Sequence, residues 1–309
     1  MSQSNMKSLM IFAVLSFVLF MAACGEDETN ASTEEGSEDI GAKYSEEMDY
    51  TITGLEPGAG QTELNNQAIE EYESLAGWEQ QTSSTGAMLT ALDTAIQNEE
   101  PIIITAWSPH YKFAKWDIKY LEDPKGIFGE EIYAATLTRL GFEEDHPAAL
   151  EVIKNFYWDI DKIEETLLRS QEEELEMDVL AEKWVEENEE TVAEWTDGIE
   201  KGNGEKITVG ATLWDEVLFT GNVAKIVLEQ HGYDVEFTSL DPAILFESIA
   251  SGDIDVTLAP WLPTTHGALA EEYEGEFVEV GKNIEGGKLG LAVPSYMEID
   301  SLEDFAPAG

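Results

Sequence analysis

Trp107-Ser108-Pro109 and Trp261-Leu262-Pro263 repeat one pattern at a constant offset. The resemblance extends upstream of each. Residues 88–110 (MLTALDTAIQNEEPIIITAWSPH) and 244–266 (ILFESIASGDIDVTLAPWLPTTH) both read as a short apolar-periodic helix, an acidic turn, a β-branched strand and then Trp-x-Pro. A strand that ends in Trp, with a Pro two residues on, presents an aromatic face at the mouth of a sheet. An indole face attracts a cation whose charge is spread over methyl groups, by about 0.5–2 kcal/mol per ring. Such a cation has no N–H to donate, so water holds it weakly. If the same molecule carried a carboxylate, backbone N–H groups at a helix N-terminus could receive it without a buried cation.

These residues need elements to position them. Strand patterns at Tyr50–Gly54 and Ile207–Gly210 each run into a loop and then a helix pattern (Leu64, Ala68, Tyr72 in one; Val217, Val223, Ile226, Val227 in the other). Strands alternating with helices predict βα units and mainly parallel sheets. Such sheets bind ligands beyond the carboxyl ends of their strands. The expected architecture is therefore α/β and two-lobed, with the ligand in the cleft. The first lobe is expected over residues 48–198, completed by 291–309, and the second over 205–290. A long helical stretch from Asp161 to Trp195 lies before the breaks at Gly198, Gly202 and Gly204, where the junction is expected. The apolar stripes of that stretch assign Trp184 and Trp195 to packing. Trp78 reads as packing, Trp116 as surface or core, and Trp158 stands before a helix with Asp159 at a cap position.

The chain's start indicates its compartment. Lys7, an apolar run from Leu9 to Phe20 and the box Met21-Ala22-Ala23-Cys24 resemble a bacterial lipoprotein signal peptide over residues 1–23. Cys24, the only cysteine in 309 residues, allows no internal disulfide and would carry the lipid anchor to the outer face of the cell membrane. Residues 24–47 are polar and acidic, and predict a flexible tether. With 65 acidic against 16 basic residues, a formal charge of −49, the chain has no basic surface with which to bind nucleic acid. Self-repulsion at that charge points to high external salt, and stability should rise as salt screens it. Acidic blocks such as Glu172-Glu173-Glu174 read as solvated helix faces, and no metal site or cofactor is expected.

The strings Gly54-Leu55-Glu56-Pro57-Gly58-Ala59-Gly60, Gln81-Thr82-Ser83-Ser84, Trp107-Ser108-Pro109-His110, Tyr120 to Gly126 (YLEDPKG) and Trp261 to Gly267 (WLPTTHG) resemble glycine betaine-binding proteins of osmoprotectant ABC importers, the OpuAC type. The resemblance covers nearly everything from Tyr50 onward, with the halves in circularly permuted order. It implies a non-enzymatic binding protein, monomeric when free, that hands glycine betaine, with proline betaine as a second candidate, to a membrane permease. It also implies a cage of Trp107, Trp158 and Trp261 around the trimethylammonium group. The backbone amides of Val217 and Leu218 would hold the carboxylate, with His110 and His266 as supporting hydrogen-bond partners. Two other readings stay open from the residues themselves. One is an extracellular hydrolase or lyase drawing on the many carboxylates, against which stands the lack of a Gly-x-Ser-x-Gly or His-Glu-x-x-His string. The other is a calcium-binding surface protein, although the acidic tracts lack the Asp-x-Asp-x-Asp-Gly loop spacing.

Overall fold

The computed structural model describes residues 34–55 and 59–309, with side chains from residue 40 onward. The expected signal peptide and Cys24 lie outside the described residues. Two βαβαβ units, built alike, form the frame. In the first, β1 (Thr51–Thr53), α2 (Gly60–Glu71), β2 (Glu79–Gln81), α3 (Thr85–Asn98) and β3 (Ile104–Ser108) give three parallel strands in the order β2-β1-β3; α1 (Glu34–Glu47) precedes them. In the second, β6 (Lys206–Ala211), α10 (Asp215–Gln230), β7 (Asp234–Ser239), α11 (Pro242–Ser251) and β8 (Val256–Thr257) give the order β7-β6-β8, again parallel. Between the units run α4 (Lys112–Lys115), β4 (Ile118–Tyr120), β5 (Ile132–Arg139), and helices α5 (Phe142–Asp145), α6 (Pro147–Lys154), α7 (Ile160–Glu173), α8 (Met177–Glu187) and α9 (Glu189–Thr196). The short β9 (Trp261–Leu262), α12 (Gly267–Glu272) and the long β10 (Phe277–Pro294) follow.

β10 joins the lobes. Its amino-terminal part, from Phe277 to Gly287, pairs antiparallel with β5, and Lys288 to Ala292 pair antiparallel with β3. Three register shifts interrupt its ladder with β5, between Glu279 and Gly281, Lys282 and Ile284, and Ile284 and Gly287. Each lobe thus has three parallel strands flanked by an antiparallel one: β10 beside β3, and β5 beside β8.

This arrangement corrects the expected lobe boundaries. Helices α6 to α9 were assigned to the first lobe with residues 48–198, but their apolar residues Leu150, Ile153, Ile163, Leu167, Leu180 and Val185 share one buried cluster with Ile207, Val209, Phe219 and Val256. A helix stripe goes where apolar surface is available, and here that is α10 and the second sheet. The junction is therefore not at Gly198–Gly204. The chain passes between lobes at residues 121–131 and along β10. Residues 291–309 lie in the first lobe, where Leu291, Val293, Met297, Ile299, Leu302 and Phe305 pack with Ile52, Leu75 and Trp78.

The tether expected over 24–47 is also corrected at its end, because residues 34–47 form α1. Ile40 and Tyr44 pack on the first lobe's core. A Cβ on Gly41 would stand 1.7 Å from the Asp304 carbonyl oxygen, so only glycine permits this approach. Ser45 is fully buried, donates to the Gly41 carbonyl and accepts from the Ala306 N–H at 3.0 Å. Composition averages hid a docking face of four residues in an acidic segment.

Candidate ligand-binding site

The carboxyl ends of both parallel units, β3 and β8, lead to one cavity of about 650 Å³ between the lobes. Trp107 and Pro109 reach it from the end of β3; Leu213, Trp214, Asp215 and Glu216 from the loop after β6 and the start of α10; Trp261, Thr264 and Thr265 from the segment after β8. Gly60 and Gln61, at the start of α2, face the same space from the first lobe. Two helix starts and three indoles therefore converge on it.

Trp107 is half-buried. The Lys112 ammonium lies 3.5 Å from its ring centroid and donates to its carbonyl oxygen at 2.8 Å. Lys112 is fully buried and is not part of the cavity wall, so the chain's own cation occupies the buried face of the indole. Burial holds this lysine well below its ordinary range, against the opposing pull of the Glu164 and Glu216 charges. His110 meets Trp107 edge-on at 4.7 Å, and its Nδ1 accepts from the Lys112 N–H at 3.1 Å. Burial, and then the Lys112 charge, push His110 down to about 2, so it stays neutral at every physiological pH. The His110 N–H donates to Glu164 on α7 at 3.1 Å, tying the turn after Trp107 to the opposite lobe. Burial raises the Glu164 carboxyl above its usual range even so.

Trp261 is held on three sides. Its N–H donates to His266 Nδ1 at 2.8 Å, and its indole N–H donates to Glu216 at 3.2 Å. A Cβ on Gly287 of β10 would stand 2.6 Å from the indole ring, so glycine is what lets the indole lie against that strand. His266 stacks on Trp214 with centroids 5.2 Å apart, and burial lowers its pKa to about 4. Both histidines expected to support the site lie against its tryptophans, one in each lobe, and His110 itself also lines the cavity. Burial raises the Glu216 carboxyl to about 7, against its hydrogen bonds from its own N–H and the Trp261 indole. Among the described residues that line the cavity, Asp215 and Glu216 are the only carboxylates, and there is no lysine or arginine.

Two expected site residues stand elsewhere. Trp158 is buried in the second lobe's core, against Trp195 at 5.4 Å and Phe156 at 5.8 Å, and is not among the lining residues. The cause is the lobe correction above: α6 to α9 close over it, and its N–H is spent on the Asn283 carbonyl of β10 at 2.8 Å. Asp159 does cap α7, accepting from Asp161 and Lys162. Leu218 cannot offer an amide, because its N–H makes the first bond of α10, to the Trp214 carbonyl at 2.8 Å. The amides of Asp215, Glu216 and Val217 precede that bond; the Val217 side chain is buried beneath the site. Trp214, 38% exposed at the cavity rim, was missed as a site residue. Its signal was available: it follows the β6 strand pattern directly, where a parallel sheet meets its ligand.

Comparison with known proteins shows the family. Residues 35–187 and 205–309 match the family model described as the substrate binding domain of ABC-type glycine betaine transport systems. The chain is 37% identical over 303 residues to a glycine betaine/carnitine transport binding protein of Listeria monocytogenes, covering 97% of this chain and 98% of that one. Among solved structures, it is similar to lactococcal OpuAC complexed with glycine betaine (34% identity, 48% of this chain and 58% of that one, TM-score 0.40). It is also similar to a glycine betaine/L-proline-binding protein of Borrelia burgdorferi (29%, 52% and 60%, TM-score 0.41). Given a family match spanning most of its length, the chain belongs to the substrate-binding domains of ABC-type glycine betaine transport systems.

Proposed function

We propose that this protein captures glycine betaine between its lobes and delivers it to the permease of an ABC importer outside the cytoplasm. The observation that carries the reading is the convergence of Trp107, Trp214 and Trp261 on one cavity whose wall holds no lysine or arginine. Indole faces replace the weak hydration of a trimethylammonium group at little cost, and a wall without cations leaves them free to do so. The betaine carboxylate has candidate donors at the two helix starts, in the first-turn amides of Gly60 and Gln61 on α2 and of Asp215 and Val217 on α10. Proline betaine has the same two groups and is the second candidate ligand. The relative's name adds carnitine, a longer methylated ammonium for which a cavity of about 650 Å³ leaves room.

Anchoring through a lipid on Cys24, after removal of residues 1–23, accounts for a protein that works at the membrane face, and no helix among the described residues is long and apolar enough to cross it. The permuted order of halves is supported by the two βαβαβ units, which keep the same strand order whichever comes first. The hydrolase or lyase reading is set aside because the matched family and the Listeria relative are transport components.

Titration calorimetry against glycine betaine, choline and proline tests the proposal. Saturable binding of glycine betaine is expected, with proline at least about tenfold weaker because its secondary ammonium is strongly hydrated. No heat with any methylated ammonium would remove the function. A formal charge of −49 adds a second expectation: the melting temperature should rise from low to molar NaCl as repulsion is screened, and a fall would count against adaptation to high salt.

A further inference from the structure

The two carboxylates of the cavity differ in surroundings, and one has a geometry that the cage alone does not explain. Glu216 lies in the first turn of α10 and accepts the indole N–H of Trp261, so its charge sits at the edge of a ring whose face would carry the ligand cation. It is only 9% exposed, yet it lines the cavity, so a cation bound there lies beside it. We propose that Glu216 is the counter-charge that selects cations in this cavity, and that a cation bound against Trp261 expels a proton from it to the solvent. The inference rests on the binding function proposed above and names how that site is regulated.

The charged neighbours of Glu216 are few. Asp215 adjoins it on the same helix turn and makes its ionisation harder; Lys112, reaching in from the other lobe, makes it easier and is itself under the influence of Glu164. His266, which holds the Trp261 backbone, and His110 behind Trp107 both titrate well below neutrality, so neither supplies a proton near pH 7. Burial leaves Glu216 partly protonated at about 7 in the empty site. A fixed positive charge beside it favours the carboxylate, lowers its pKa and releases the proton. The sign follows: affinity is lower where Glu216 is protonated, rises as pH passes through neutrality, and levels off above it.

A quaternary ammonium makes the test clean, since it has no proton of its own to give. Calorimetry of glycine betaine binding at pH 7, in buffers of differing ionisation enthalpy, should show release of a fraction of a proton. Affinity should rise about fivefold from about pH 5.5 to about pH 8, as a pKa lowered by roughly one unit requires. In Glu216→Gln, which keeps an oxygen for the indole N–H, proton release and pH dependence should both vanish. Choline, with no opposing carboxylate, should lose more affinity than glycine betaine. The wild-type measurement needs no variant and so does not depend on the mutant's folding. Betaine binding with no proton release and a flat pH profile would overturn the inference while leaving the binding function intact. Proton release that persists in Glu216→Gln would transfer it to another group and overturn it equally. Absence of binding would instead sink the function on which it rests.

Discussion

Trp261→Ala will weaken glycine betaine binding by about a hundredfold, a larger loss than one cation–π contact of about 0.5–2 kcal/mol provides. The excess comes from what the ring organises. Its indole N–H satisfies Glu216, its main chain is locked by His266, and its face lies where Gly287 gives β10 no side chain. Truncation leaves a buried carboxylate without that donor and opens a gap against β10, the strand that pairs with both sheets. Trp107→Ala should lose less, about tenfold, because the buried face of that ring serves Lys112 and not the ligand. Calorimetry on the purified variants decides this; wild-type affinity in Trp261→Ala would remove the ring from the site.

Trp158→Ala should show the opposite division: about 3–5 kcal/mol of stability lost, with little change of affinity in the protein that stays folded. The ring fills the centre of an aromatic group in which Trp195 packs at 5.4 Å and in turn stacks on Trp184 at 5.6 Å. Nothing near it can collapse into the space, since these neighbours are fixed on separate helices. Denaturant unfolding measures the first effect and calorimetry the second. Trp158→Phe supplies the check. A variant that melts near the wild type but fails to hold betaine would return Trp158 to the cage.

The comparison of these two tryptophans explains how far the sequence could be read. Trp107 and Trp261 were visible because one lies in the third strand of a repeated βαβαβ unit and the other closely follows it in the second unit, and local periodicity reports such positions directly. Trp158 sits in no repeat. Its place depends on which lobe receives α6 to α9, and that is decided by apolar area on α10, far away in the chain. Trp214 follows the same logic as Trp261 but lacks the flanking Pro that drew attention. The start of the first lobe was misread for a simpler reason: α1 has only a narrow docking face, and average acidity outweighs Gly41 and Ser45 in any compositional reading. Glu216 could not be singled out among 65 acidic residues until the structure showed it both buried and lining the cavity.

β10 has one more consequence, for synthesis. The strand that completes both sheets follows β3 and β5 in the chain, so neither sheet is complete until it has been made. Domains that finish early in the chain fold as they emerge; these two lobes wait for the strand they share.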